Sequence, residues 1–297
     1  MNGVINVCKE PGVTSFYVVA QIRKIFKVKK AGHTGTLDPM AEGVLPVCLG
    51  HATKFAEFLT AEDKQYIAQF RLGIACDTFD TTGAVLRKSD LHPDESSVRA
   101  VLESFIGEPE LTVSAFSAKK IDGLRAYDLA RKGKLQDAGT APMKIFKIEL
   151  LSYNYPVGIF VIDCGKGVYV RSVINCMGDK LGSFAAMSGL MRSRNGQFHI
   201  KNARKLADIK QIADSGRKSE LVTPVQDVLN LPKAVIKDKI YNAVMHGISP
   251  KAADYQSLPD AYDSGMCLLL TREGKLVAFG DIQKESPVPV KLSRVFQ

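Results

Sequence analysis

Residues 32–54 read GHTGTLDPMAEGVLPVCLGHATK, and the centre of that run, Gly35-Thr36-Leu37-Asp38-Pro39, places one carboxylate in a glycine-rich bend just ahead of an apolar strand. Pro39 bars the residue before it from the helical region, so Asp38 is pushed toward an extended backbone. Gly32, Gly35 and Gly43 permit the close or positive-φ backbone that a Cβ would resist. An acid held in this way can form a turn, cap a helix, bind a metal or act as a nucleophile. Asp-Pro between glycines is also ordinary loop punctuation, so these five residues alone leave all four roles open.

On the N-terminal side, residues 4–8 have the pattern of a short strand. Thr14 or Ser15 can cap a helix whose apolar positions Val18, Val19, Ile22, Ile25 and Phe26 recur at helical spacing. Arg23, Lys24, Lys27, Lys29 and Lys30 cover its other side and lead straight into the Gly32 bend, a placement that suits a phosphate-bearing substrate.

On the C-terminal side, residues 44–49 predict a strand and 51–59 a helix. Residues 64–72 alternate, with Tyr66, Ala68, Phe70 and Leu72 on one face. An amphipathic helix is expected over 93–106, closed by Gly107. Phe146, Ile148 and Leu150 should line one face of a strand, 159–164 form another, and 169–181 a helix. Residues 119–144 read as a basic excursion with one short helix around Tyr127; its Lys119, Lys120, Arg125, Arg131, Lys132 and Lys134 suit phosphate contacts. Leu231-Pro232 marks a boundary between a larger domain, 1–230, and a small β-rich tail, 231–297. That tail holds a hairpin across Glu273-Gly274-Lys275. No GxGxxG or Walker A run is present. The irregular alternation of strands and helices argues for an α+β fold around a mixed, mainly antiparallel sheet rather than a parallel βαβ fold.

The 297 residues suffice for a sizeable core, and 45% hydrophobic with 24% charged residues is the balance of a globular protein. Forty Lys+Arg against 31 Asp+Glu, a net charge of +9, favours a polyanionic partner. The N-terminal MNGVINVCKE lacks a signal peptide's pattern and no apolar run has spanning length, so a cytoplasmic location is expected. Six cysteines stand far apart, none in a CxxC pair or at zinc-ligand spacing with a histidine. They read as reduced core residues, and no metal site is expected.

The whole run GHTGTLDPMAEGVLPVCLGHATK resembles, almost without a gap, the signature of the tRNA pseudouridine(55) synthases of the TruB type. KEPGVTS at 9–15 is similar to that family's opening motif, and DKQYIAQFRLG with CDTFDTTG at 63–83 to its tyrosine strand and following turn. FSAKKIDGLRAYDLAR at 116–131 and GKGVYVRSVINCMGDKLG at 165–182 resemble the next two blocks. The stretch from Thr223-Pro224 to Leu231-Pro232 resembles the linker before a C-terminal PUA-like RNA-binding domain.

That resemblance implies the pseudouridine synthase fold and the isomerisation of a T-loop uridine, with no cofactor and no metal. The partner implied is the T-arm stem-loop of tRNA; neither a membrane nor an obligate protein partner is expected, and the chain is expected to be a monomer. Asp38 would be the nucleophile, ionised, with Arg171 as the cation beside it. Tyr66 would stack on the flipped uracil and assist loss of the C5 proton. Leu190, in SGLMRSRNGQF, would pack the base from the other side, and His33 would enter the T-loop where the base was extruded. Lys64 and Tyr169 lie in matched blocks and are expected to support the site or contact phosphate.

The chain departs from the family pattern at Glu10, Val113-Ser114, Gly165, Val168 and Asn175, none of them an expected reacting group. Two other readings compete. A guide-RNA-dependent relative would share GTLDP but carry extra docking segments, and an RNA chaperone would not need an ionised acid in its pocket. A glycosidase would need a second well-placed carboxylate.

Overall fold

The computed structural model describes residues 1–117, 120–121, 123–131, 138–259, 265–283 and 286–296. Lys119, Lys132 and Lys134 of the basic excursion lie outside the described residues, as do the side chains of Lys120, Arg125 and Arg131. The chain divides into two units, Met1 with Ile5–Leu221, and Asn2–Val4 with Val222–Gln297.

From the N-terminus run β1 (Gly3–Lys9), α1 (Ser15–Phe26), β2 (Ala31–His33), β3 (Glu42–Leu49), α2 (Ala56–Ala61) and β4 (Lys64–Leu72). A hairpin of β5 (Ile74–Cys76) and β6 (Val85–Lys88), then α3 (Glu95–Glu103) and β7 (Glu110–Thr112), follow. The excursion supplies β8 (Lys120–Ile121), β9 (Leu124–Arg125), α4 (Ala126–Arg131) and β10 (Thr140–Pro142). The first unit closes with β11 (Ile145–Asn154), β12 (Val157–Cys164), α5 (Val170–Leu181), β13 (Ala185–Asn195), β14 (Phe198–His199) and α6 (Leu206–Asp214).

Eight strands form one sheet in the order β1-β3-β13-β4-β12-β11, with β2 on β3 and β14 on β13. β13 is the turning point: it runs parallel to β3 and antiparallel to β4. The sheet is therefore mixed and mainly antiparallel, the α+β arrangement expected. β4 follows the alternation of its sequence, with Tyr66, Ala68, Phe70 and Leu72 buried and Gln65, Ile67 and Gln69 half-buried. Gly158 on β12 makes room for the Phe70 ring, which would lie 2.3 Å from a Cβ there. The chain enters α1 through Thr14, whose Oγ1 accepts the Tyr17 N–H at 3.1 Å and so satisfies an end donor. Thr14 takes the cap, and the next residue, Ser15, is free for another task.

Two local expectations are corrected. Residues 51–59 do not form one helix: Gly50–Phe55 is a tight 3-10 turn, and α2 follows it. Thr53 Oγ1 donates to the Gly50 carbonyl at 2.8 Å, a local bond that competes with α-helical geometry. Phe146 does not share the inward face with Ile148 and Leu150. A bulge between Ile145 and Lys147 puts Ile145 inside, 1% exposed, and Phe146 outside, 43% exposed.

The second unit carries α7 (Val225–Val228), β15 (Lys233–Ile236), α8 (Tyr241–Met245), β16 (Tyr255–Ser257), β17 (Met266–Leu270), β18 (Leu276–Ile282) and β19 (Val290–Val295). Its five strands pair in the order β16-β15-β17-β18-β19 around a core of Ile236, Val244, Tyr255, Leu269 and Val277. β17 and β18 are the hairpin expected across Glu273-Gly274-Lys275, with Gly274 at φ +79°. This is the β-rich, PUA-like region.

Candidate active site

The Asp38 bend is held through its backbone by side chains from three other elements. Ser15, the first residue of α1, makes two bonds to Leu37: its Oγ accepts the Leu37 N–H at 2.9 Å and donates to the Leu37 carbonyl at 3.0 Å. Lys9, at the end of β1 and 0% exposed, donates to the carbonyls of Pro39 at 3.1 Å, Ala41 at 2.5 Å and Glu10 at 3.1 Å. Arg192 on β13 donates to the carbonyls of Gly35 at 3.0 Å and Val44 at 2.7 Å. Gly43, at φ +105°, lets β3 lie directly against β13; a Cβ there would stand 2.3 Å from the Arg192 carbonyl oxygen. The glycines noted at the outset thus have different tasks, and the task of Gly43 is close approach.

Asp38 itself meets Arg171. The guanidinium presents its side to the carboxylate, Nε to Oδ2 at 3.0 Å and Nη2 to Oδ1 at 3.3 Å, the two-point geometry at which arginine excels. The Asp38 side chain is 33% exposed and that of Arg171 only 10%, so the pair opens outward on the acid's side. Arg171 is the second residue of α5, whose start is set by the turn at Gly167, φ +83°, and by Tyr169 at the N-cap. Its remaining donors are also engaged: Nη1 donates to the Thr78 carbonyl at 3.0 Å and Nη2 to that of Phe116 at 3.2 Å. Asp80 lies behind the guanidinium, Oδ2 to Nη1 3.8 Å, and accepts from the Thr78 hydroxyl and the Thr82 N–H and hydroxyl. A guanidinium with this many partners cannot swing, and the carboxylate it grips cannot swing either.

The other expected residues fall at varying distances from this pair. Tyr66 on β4 is buried and stands opposite Arg192 of β13. Burial raises its ionisation range; Arg192 is the strongest opposing influence and Asp38 adds to the rise. Leu190 stands two residues along β13 on the same face, paired with Ala68 and half-buried, a diagonal neighbour of Tyr66. Tyr169, half-buried, senses both Arg171 and Asp38; burial raises its ionisation range too. His33 ends β2 rather than lying in a loop, its Nδ1 accepting the Gly35 N–H at 3.3 Å. Lys64 is not brought to the pair: its ammonium donates to the carbonyls of Thr60, at 2.9 Å, and Glu62, at the end of α2.

Sequence reading passed over three site residues: Lys9, Asp80 and Arg192. Lys9 and Arg192 had a signal. The period of two in β1 puts Lys9 on the same side as Ile5 and Val7, and in β13 it puts Arg192 with Leu190, a cation on a face meant for the core in each case. Asp80 had none, because it sits in a turn. Among the described residues no group of three or more His, Cys, Asp or Glu side chains is placed to hold a metal ion, and all six cysteines are free thiols.

Comparison with known proteins bears on the same residues. The profile described as TruB family pseudouridylate synthase (N terminal domain) matches residues 23–170, a span that begins in α1 and ends at the foot of α5. The tRNA pseudouridine synthase B of Clostridium tetani (strain Massachusetts / E88) is 39% identical over 294 residues, 98% of this chain and 99% of that protein. The chain belongs to the TruB family of pseudouridylate synthases. The enzyme of the same name from Clostridium acetobutylicum is 33% identical across 98% of this chain and 99% of that protein. Among solved structures, one described as an H/ACA RNP bound to a substrate RNA containing 2'-deoxyuridine superposes with a TM-score of 0.74. It is 28% identical, covering 99% of this chain and 85% of that one.

The departures from the TruB pattern now have places. Asn175 donates to Asp179 on the exposed side of α5. Ser114 accepts the Phe116 N–H at 3.1 Å, so a side-chain turn fixes the residue whose carbonyl Arg171 holds. Glu10 pairs with Lys205 at the surface at 3.2 Å.

Lys9 gives this TruB-family site a pH signature of its own. Burial lowers its ammonium from 10.5 to about 8 in the folded protein, with Asp38 and Glu42 opposing the shift. Between those values the unfolded chain binds more protons than the folded one, so this group makes the wild type more stable as pH rises through that window. Lys9→Met leaves its carbonyls without a donor and is expected to cost about 1–3 kcal/mol at neutral pH. Thermal unfolding should show the gap between wild type and variant widening from pH 7 toward pH 10; a constant or narrowing gap contradicts the assignment.

Proposed function

We propose that this protein isomerises uridine 55 in the T-loop of tRNA to pseudouridine, acting without a cofactor and with Asp38 as the nucleophile. The observation that carries the reading is the side-on Asp38–Arg171 pair on the bend that bears the TruB signature. An acid that opens outward while a buried guanidinium grips its other side holds an oxygen fixed where a base can reach it. The reaction breaks the bond between ribose C1′ and uracil N1, turns the uracil, and forms the bond from C1′ to C5, with the C5 proton lost and the freed N1 taking up a proton. Nothing is oxidised or reduced, and no co-substrate is consumed.

The other residues take the roles their positions suit. Tyr66 and Leu190, diagonal neighbours on one face of the sheet, bracket the flipped base, and the Tyr66 hydroxyl assists removal of the C5 proton. His33, beside the bend, fills the gap in the T-loop, which offsets the few kcal/mol of unstacking that base flipping costs. Tyr169 supports Arg171 at the start of α5. Lys64 serves the sheet by capping α2. The basic face of α1 follows phosphate, and the PUA-like domain, 231–297, binds RNA outside the T-loop.

The enzyme acts on tRNA itself, as a monomer. Near end-to-end similarity to bacterial enzymes named for tRNA favours this over the guide-RNA-dependent reading. Among the described residues no helix is long and apolar enough to cross a membrane. The test is incubation of purified protein with an unmodified T-arm stem-loop transcript and mapping of pseudouridine at single-nucleotide resolution. Pseudouridine is expected at the position of uridine 55 and nowhere else in the stem-loop. No product there, or product only after a guide RNA is added, overturns the reading.

A further inference from the structure

Arg192 is the side chain that the roles above leave out. It heads the fully buried side chains by volume, 1% exposed. Its hydrogen-bond acceptors are neutral, the carbonyls of Gly35 and Val44. A guanidinium buried against neutral oxygens is costly, and a hydrophobic residue at this point of β13 would pack at less expense.

The geometry shows what the cation does. Gly35 precedes Asp38 and Val44 follows it, so one side chain ties down both ends of the nucleophile's bend. Tyr66 stands directly across from it on β4. Arginine only donates, and it does not lose its proton in proteins. Its charge therefore acts on the Tyr66 phenol throughout, favouring the ionised form against the effect of burial. Gly43 completes the arrangement, because its missing Cβ is what brings β3 within reach of Arg192.

We propose that Arg192 is a positioning residue that locks the Asp38 bend to the strand pair carrying Tyr66, so that the nucleophile and the group facing C5 keep a fixed spacing. The proposal rests on the roles given above to Asp38 and Tyr66. It assigns Arg192 no contact with RNA.

The test is a double-mutant cycle on Arg192→Met and Tyr66→Phe, with Arg192→Lys as the conservative variant. Arg192→Met is expected to lower kcat about tenfold to a hundredfold, the range for losing a hydrogen bond to a charged group, while KM stays within about threefold. Arg192→Lys should recover part of that loss, since an ammonium keeps the charge but not the planar fork, and it serves if Arg192→Met fails to fold. In the Tyr66→Phe background the loss on changing Arg192 should shrink by at least about fivefold, because the partner is already gone. An equal loss in both backgrounds overturns the proposal.

A second readout needs no activity and so separates this inference from the pseudouridine reading. In protein labelled at tyrosine Cζ, the Tyr66 resonance is identified by its disappearance in Tyr66→Phe. It should titrate at higher pH in Arg192→Met than in wild type, with the other groups that act on the ring, Cys164 on β12 and Asp38 on the bend, present in both. An unchanged titration overturns the inference even if the enzyme modifies tRNA as expected.

Discussion

Asp38→Asn is expected to abolish pseudouridine formation, by at least about four orders of magnitude, while T-arm RNA binding stays within about threefold of wild type. The substitution keeps the shape of the side chain and removes its charge, and two consequences follow. An amide is not a nucleophile, so the step at ribose or base has no starting point. Arg171 also loses the partner for its Nε and Nη2 edge, and the amide's N–H₂ can turn a donor toward that edge. The bend should survive, since it is held through backbone carbonyls by Lys9 and Arg192 and through Leu37 by Ser15, none of which touches the carboxylate. Single-turnover mapping of pseudouridine beside a filter-binding titration measures both quantities. Residual activity within a hundredfold of wild type would remove Asp38 from the role of nucleophile.

Arg171→Lys should come next in size, with kcat down about two to three orders of magnitude and RNA affinity little changed. Breaking a buried pair by altering one partner costs roughly 3–5 kcal/mol, and the lower part of that range applies because Asp38 is partly open to water. Lysine retains the charge, but a single ammonium cannot present two parallel donors to the carboxylate and still reach Thr78 and Phe116. The carboxylate would then be free to rotate, so the loss should appear in the chemical step rather than in binding. A rise in KM with unchanged kcat would show instead that Arg171 serves the RNA backbone.

The contrast between what was and was not legible in the sequence follows from how far each interaction reaches. β4, β12, α5 and the β17–β18 hairpin were legible because each is written in a local period or a turn residue. The bulge at Ile145 was not, because one inserted residue reverses the inward face without changing composition. Asp38, Tyr66, Arg171 and Leu190 stood out through a motif spread over most of the chain; Tyr66 and Leu190 share a face of β4 and β13, and Arg171 meets Asp38. Lys9 and Arg192 broke the apolar pattern of their strands, yet nothing local states that their acceptors are carbonyls of a bend some thirty and a hundred and fifty residues away. Asp80 is quieter still: its part depends on a turn pinned to β13 through Met187.

The buried grip of Lys9, Ser15 and Arg192 on the Asp38 bend makes that bend the stiff member of the encounter. All the bending on complex formation then falls to the nucleic acid. Such a surface sorts its substrates by how readily a loop yields a nucleotide, and only secondarily by which letters surround it. A T-loop braced by the rest of a mature tRNA should therefore be a slower substrate than the same loop in isolation, although every base to be recognised is identical.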